Sequence, residues 1–148
     1  MATLYNNKFI GSWRLLAWYN KDTDGKMYYP FGEDAVGYIM YAADGYMGVN
    51  IMKRDRPQFA DNDLLKGSQS EQSEAFKGYI AYSGRYEIQS DKVIHHIEAT
   101  LFPNWVGVAQ ERFFEFSPDH NQLTLSTRPI MMSGKQQSAH LTWARCAT

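Results

Sequence analysis

Three side chains in this sequence have the type and placement to do chemistry inside a folded sheet: His95, Arg112 and Tyr82. Residues two apart share a face of a strand. In the run 93–101 one face carries Val93, His95, Ile97, Ala99 and Leu101, and the other Ile94, His96, Glu98 and Thr100. The first is the more apolar, so His95 is expected inside, with His96 and Glu98 in water. The next run puts Val108, Gln110, Arg112, Phe114 and Phe116 on one face, and the preceding one Tyr82, Gly84, Tyr86 and Ile88. Adjacent strands lie about 5 Å apart, so His95, Arg112 and Tyr82 would meet on one wall. A buried imidazole beside a guanidinium has a lowered pKa and can act as a neutral base, while Arg112 and a tyrosine hydroxyl stabilise oxyanion charge. The competing role is structural, a polar plug whose members satisfy one another.

A wider shell of ligand contacts is expected around that trio. Tyr86, Gln110 and Phe114 come from the same inward faces. Asn104 and Trp105 follow Pro103 in a loop at one rim, and Met47 and Asn50 lie on the strand 46–52. Other chemistries lack their motifs. No Cys/His cluster has metal-ligand spacing, and no P-loop, dinucleotide fingerprint or Gly-x-Ser-x-Gly elbow occurs, so no metal and no cofactor is expected. His120 and His140 read as turn and surface residues. Arg145 is expected to lie against Trp13 as a structural contact.

Those side chains need a sheet to aim them. The 148 residues suffice for one domain, 1–148, and the net charge of −1 from 15 basic and 16 acidic residues has no basic run to suggest nucleic acid. The densest positive patch, Lys53-Arg54-Asp55-Arg56, reads as a solvated loop. With 10 Tyr, 8 Phe, 4 Trp and 7 Met the composition suits an adaptable apolar cavity with polar handles, although strands favour aromatics in any case. Cys146 stands alone, so no internal disulfide forms. The first residues lack a signal-like pattern and no apolar run is of membrane-spanning length, which points to a cytoplasmic protein.

Alternation begins at Phe9–Asn20, with Trp13, Leu15, Ala17 and Tyr19 on one face, and turns at Asp24-Gly25. A second strand is broken at Pro30-Phe31-Gly32 and resumes over Val36–Ala42; a third covers Tyr46–Met52, with Met47, Val49 and Ile51 on one face. Alternation stops from Lys53 to Ser70, a stretch long enough to be a lid. One helix is expected over Ser70–Ile80, capped at Ser70. The rest is a meander over 81–89, 92–102, 108–116, 122–128 and 139–145. Short strands at this spacing with one short helix argue an antiparallel barrel.

The strings GSWRLLAWY, PFGEDAVGYIMYAADGYMGVNIM, YIAYSGRYEI, VIHHIEATLFPNWVGVAQERFFEF and LTWAR, in that order along nearly the whole chain, resemble the bacterial and fungal lipocalin-like domain family. The resemblance implies an all-β, eight-stranded up-and-down barrel with an internal ligand site. The early Trp13 and late Arg145 are similar to the lipocalin signature itself. Members of related shape include both carriers and cofactor-free cyclases. Two functions follow as expectations: a protein holding a small, mostly hydrophobic oxygenated molecule, such as a secondary-metabolite intermediate, or a cofactor-independent isomerase, cyclase or lyase acting on a polyketide- or terpenoid-like substrate through His95 and Arg112. A weaker third is an assembly subunit with a closed interior. The partner is then a small hydrophobic molecule, with a homodimer left open.

Overall fold

The computed structural model describes residues 7–147. Residues 1–6 and 148, part of the single domain expected above and including most of the segment read as signal-free, lie outside the described residues. Ten strands form one antiparallel sheet: β1 (Gly11–Asp22), β2 (Met27–Tyr28), β3 (Val36–Tyr41), β4 (Tyr46–Met52), β5 (Tyr79–Ile88), β6 (Lys92–Thr100), β7 (Ala109–Phe116), β8 (Gln122–Ser126), β9 (Ile130–Met132) and β10 (Lys135–Arg145). One helix, α1 (Gln69–Lys77), joins β4 to β5. The sheet closes where β1 pairs with β10, from Trp13 opposite Arg145 to Asp22 opposite Gln137.

Eight strands make the barrel, and the two extra ones are continuations. β2 and β3 both pair with the same edge of β1, at Asn20–Lys21 and Gly11–Arg14 respectively, so they are one strand interrupted around Pro30-Phe31-Gly32. Proline lacks the N–H a ladder needs, and Gly32 sits at φ +84°, where other residues are strained. β8 and β9 share the other edge of β10 in the same way.

Two bulges alter the simple alternation. Leu16 is an extra residue on β1, between the pairs Leu15–Trp143 and Ala17–Thr142. Beyond it Trp18 and Asn20 turn inward and are buried, while Tyr19 stays only half-buried, which corrects the expected inward Ala17 and Tyr19. Glu98 is the extra residue on β6, because Gly84 pairs with Ile97 but Ser83 with Ala99. Ala99 and Leu101 are therefore exposed rather than inside. At this bulge the β6 backbone presses onto β5: a Cβ on Gly84 would lie 1.9 Å from the His96 carbonyl oxygen. Only glycine fits there.

The end of the barrel near the start of β1 is packed solid. Phe9 meets Tyr41, Phe114 and Phe116 edge-on at 5.1, 4.9 and 5.0 Å, the offset geometry that aromatic quadrupoles favour. Trp13 closes this end, fully buried, its indole N–H donating to the Phe9 carbonyl. Arg145 lies over the Trp13 ring at 4.2 Å and donates to the Lys8, Ile10 and His120 carbonyls, as the pairing of the two chain ends predicts.

The opposite end carries α1 and the segment before it. The helix is capped two residues earlier than expected, at Ser68, whose hydroxyl accepts from the Glu71 N–H while the Glu71 carboxylate accepts from the Ser68 N–H. It stops at Lys77, since Tyr79 and Ile80 already belong to β5. The segment 53–68 folds back onto this helix, with Arg56 donating to the Ala75 carbonyl and the Ala60 N–H donating to Glu71. None of its residues borders the barrel's interior space.

Candidate functional site

An interior cavity of about 270 Å³ occupies the half of the barrel away from the Trp13 plug. Its wall is largely hydrocarbon, with Ile39, Val49, Ile51, Leu125 and Leu141 from successive strands. Trp18 faces it because of the Leu16 bulge, while Phe102, Trp105 and the β9 residues Ile130–Met132 border the mouth. Four polar side chains enter this wall together on adjacent strands: Tyr82, His95, Gln110 and Arg112. The register brings three of them together, since His95 pairs with Gln110 and Val93 with Arg112, while Tyr82, opposite Thr100, reaches His95 through its hydroxyl.

His95 is 1% exposed and both its ring nitrogens are occupied. Nδ1 shares a hydrogen bond with the Tyr82 hydroxyl and Nε2 one with the Tyr41 hydroxyl, each 2.7 Å long. Burial pushes the imidazole pKa well below 6.5, and the Arg112 charge pushes it the same way, so the ring is neutral. Burial likewise raises Tyr41 well above 10, and raises Tyr82, which the neighbouring Arg112 draws back down as a positive charge and hydrogen-bond donor.

Counting hydrogens fixes the direction of this chain. A neutral imidazole has one donor and one acceptor nitrogen. Among the described residues, the Tyr41 hydroxyl has no partner besides Nε2, so its hydrogen must point there. Nδ1 then carries the ring hydrogen and donates it to the Tyr82 oxygen. The Tyr82 O–H is left free to donate, and Tyr82, unlike Tyr41, borders the cavity. Arg112 offers only donors; it is steadied by giving one N–H to the Glu111 carbonyl at 3.0 Å and another to Gln110 Oε1. The wall thus presents two donors, Tyr82 O–H and Arg112 N–H, to whatever fills the cavity.

The remaining expected contacts divide. Trp105 borders the mouth, edge-on to Tyr82 at 6.0 Å and to Phe102 at 5.4 Å. Tyr86 is buried behind Tyr41, its hydroxyl donating to the Ala42 carbonyl, and does not border the cavity. Met47 and Phe114 sit in the solid half of the barrel, for the same reason. Asn50 is exposed on the outer face of β4, because Val49 and Ile51 on either side point in. Asn104 is exposed in the 3₁₀ turn Pro103–Trp105. Alternation alone gives a face but not a depth along the barrel, and depth separates these residues from the cavity.

Two wall residues, Trp18 and Trp143, and the buried polar groups behind the wall lie outside the sequence-based expectation. Trp18 was hidden by the bulge; its N–H donates to Asn20 Oδ1 at 2.7 Å, and Asn20 in turn donates to Gln137 Oε1 at 3.0 Å. Gln137 donates to the Met132 carbonyl, which ties β9 to the mouth. Tyr41 and Trp143 share parity with Ile39 and Leu141 and were legible by that signal. Trp143 is 1% exposed and borders the cavity, yet its indole N–H has no acceptor among the described residues.

The model of the family described as the lipocalin-like domain matches residues 10–146. A curated relative, the 4'-hydroxy-3'-methoxypropiophenone carrier protein ppsC of Aspergillus oryzae (strain ATCC 42149 / RIB 40), is 32% identical over 107 residues, covering 67% of this chain and 96% of the relative.

Proposed function

This chain belongs to the lipocalin-like domain family, and from that premise we propose that it is a carrier for a small, mostly apolar molecule bearing a ketone or comparable acceptor oxygen, such as a secondary-metabolite intermediate. The observation that carries this reading is the pair of donors, Tyr82 O–H and Arg112 N–H, set in a largely hydrocarbon wall. An acceptor oxygen on the ligand satisfies both; an amine or cation would meet the Arg112 charge and be repelled. The cavity also limits size. An apolar cavity of about 150 Å³ takes up benzene, so about 270 Å³ suits one substituted ring. The relative's name describes an aryl ketone carrier, which is of this class.

Titration calorimetry with 4'-hydroxy-3'-methoxypropiophenone tests the proposal. One molecule should bind per barrel, and Arg112→Met should weaken binding about tenfold or more, equivalent to ~1.4 kcal/mol. No binding by the unaltered protein, or unchanged binding by the variant, would overturn it.

The rival enzyme reading uses the same donors to stabilise an enolate. It needs a base to remove the α-proton, and both nitrogens of His95 are already engaged. Incubating the protein with that ketone in D₂O separates the two: a carrier leaves the α-hydrogens in place, whereas an isomerase, cyclase or lyase of this kind exchanges them for deuterium.

A further inference from the structure

The cavity wall holds one formal charge and nothing opposite to it. Among the described residues that border the space, Arg112 is the only charged side chain, and none is Asp or Glu. Arg112 gives its N–H groups to neutral oxygens, the Glu111 carbonyl and Gln110 Oε1, and forms no ion pair among the described residues. The nearest carboxylate along the chain, Glu111, is committed to Lys92 at 2.7 Å and Arg128 at 3.4 Å. The uncompensated charge is felt across the wall. It adds to burial in lowering His95, and it opposes the rise that burial gives Tyr82 and Tyr41.

Donors are in surplus at the same place. Arg112 cannot accept, so Gln110 must turn Oε1 toward it, which leaves the Gln110 amide N–H groups for another partner. Trp143 Nε1 is the only buried side-chain nitrogen or oxygen without a partner among the described residues. Arg112 Nε and Gln110 Nε2 make no hydrogen bond either; they are therefore open, and both residues border the cavity. With the Tyr82 hydroxyl, three donor groups stand together on β5 and β7. A ketone oxygen has two lone pairs to offer them. An ionised oxygen has one more, and its charge-assisted bonds are about twice as strong. A neutral guest strips water from the guanidinium and supplies no opposite charge, which a largely hydrocarbon wall makes costly. We infer that the guest is bound as an anion whose charged oxygen is conjugated with a carbonyl, as in a phenolate para to an acyl group or the enolate of a 1,3-dicarbonyl. This rests on the carrier reading above and names the class of cargo. Spreading the charge over a flat apolar frame keeps the hydration lost on entry below that of a carboxylate.

Absorbance titration with 4'-hydroxypropiophenone tests this, because its phenolate absorbs at longer wavelength than its phenol. Its para carbonyl lets it ionise below the value of about 10 ordinary for a tyrosine phenol. Bound to the unaltered protein, its ionisation midpoint should fall by one pH unit or more. Affinity should accordingly rise about tenfold as the pH passes from below to above the free probe's midpoint. The groups facing the guanidinium keep a steady charge from pH 7 to pH 9, since His95 is held well below 6.5 and Tyr41 and Tyr82 above 10. 4'-Methoxypropiophenone, which cannot ionise, should bind equally well at both ends of that range. Arg112→Met should return the bound midpoint to that of the free probe or higher; should this variant fail to fold, the midpoint on the unaltered protein decides. A bound midpoint equal to or above the free one overturns the anionic guest and leaves the carrier reading standing, as does an equal rise in affinity for the methoxy probe. If neither probe binds at any pH, that reading falls and the inference with it.

Discussion

His95 sits between two phenols, and that placement turns it from a free base into an orienting group. With both nitrogens engaged, the ring leaves the Tyr82 hydrogen free to point at the cavity. The same burial makes it a reporter of pH. Because its folded pKa lies well below the ordinary 6.5, the unfolded chain binds a proton that the folded one refuses. Stability is therefore full above about pH 6.5 and falls as the pH drops through that value. The melting temperature should fall between pH 7 and pH 5, and His95→Gln should lose part of that slope. The variant should also start about 1–3 kcal/mol less stable, because it strands the tyrosine hydroxyls. Asp22, Glu71, Glu87, Glu111 and Asp119 titrate below 4.5 and act in a more acidic window. His140, lowered by partial burial and then by Lys21, remains in both proteins, so the difference belongs to His95. Parallel melting curves across this range would refute the assignment.

At the scale of the strand, the bulges decide what the interior contains. Leu16 rotates the second half of β1 so that Trp18 and Asn20 reach the cavity side, and Glu98 rotates the end of β6 so that Ala99 and Leu101 leave it. The second bulge is compatible with β5 only because position 84 has no side chain. Gly84→Ala places a methyl against the backbone of β6, an obstruction that no rotamer change relieves. It should cost about 3 kcal/mol, the upper part of the range for overpacking, read as a lowered urea midpoint. A midpoint within ~0.5 kcal/mol of the parent would mean that the two strands separate there without penalty.

For the barrel as a whole, closure depends on joining residues more than a hundred positions apart. The β1–β10 ladder supplies most of the seam, and Arg145 fastens its end by gripping three carbonyls while lying flat on Trp13. A lysine has no planar fork to reach both sides of the seam and stack at once. Arg145→Lys should therefore lose about 2 kcal/mol in chemical denaturation with the two-state transition preserved. Stability equal to the parent would show that the ladder alone holds the barrel shut. Ligand binding should act on the same equilibrium in the opposite direction, by about 2.7 kcal/mol at a hundredfold excess over Kd.

Much of this protein could be read from its residues in order. Alternation with a period of two, glycine and proline at the turns, and the Trp13–Arg145 pairing dictate a closed antiparallel barrel, because each follows from contacts between near neighbours or from the two chain ends. Period-two parity also put His95, Tyr82, Gln110 and Arg112 on inner faces, where the structure has them. What parity cannot supply is position along the barrel axis. Tyr86, Met47 and Phe114 face inward as expected, but at the depth where Phe9 and Trp13 fill the space, so they are packing and not cavity wall. Nor does a bulge announce itself locally, since one extra residue is compatible with either strand's propensities and is set by the register of its partner. The direction of the hydrogen bonds through His95, and the indole of Trp143 left without an acceptor, exist only once five or more strands stand around one space. The chain order selected the fold; the three-dimensional packing chose which inward side chains surround a cavity and which of their donors remain for a guest.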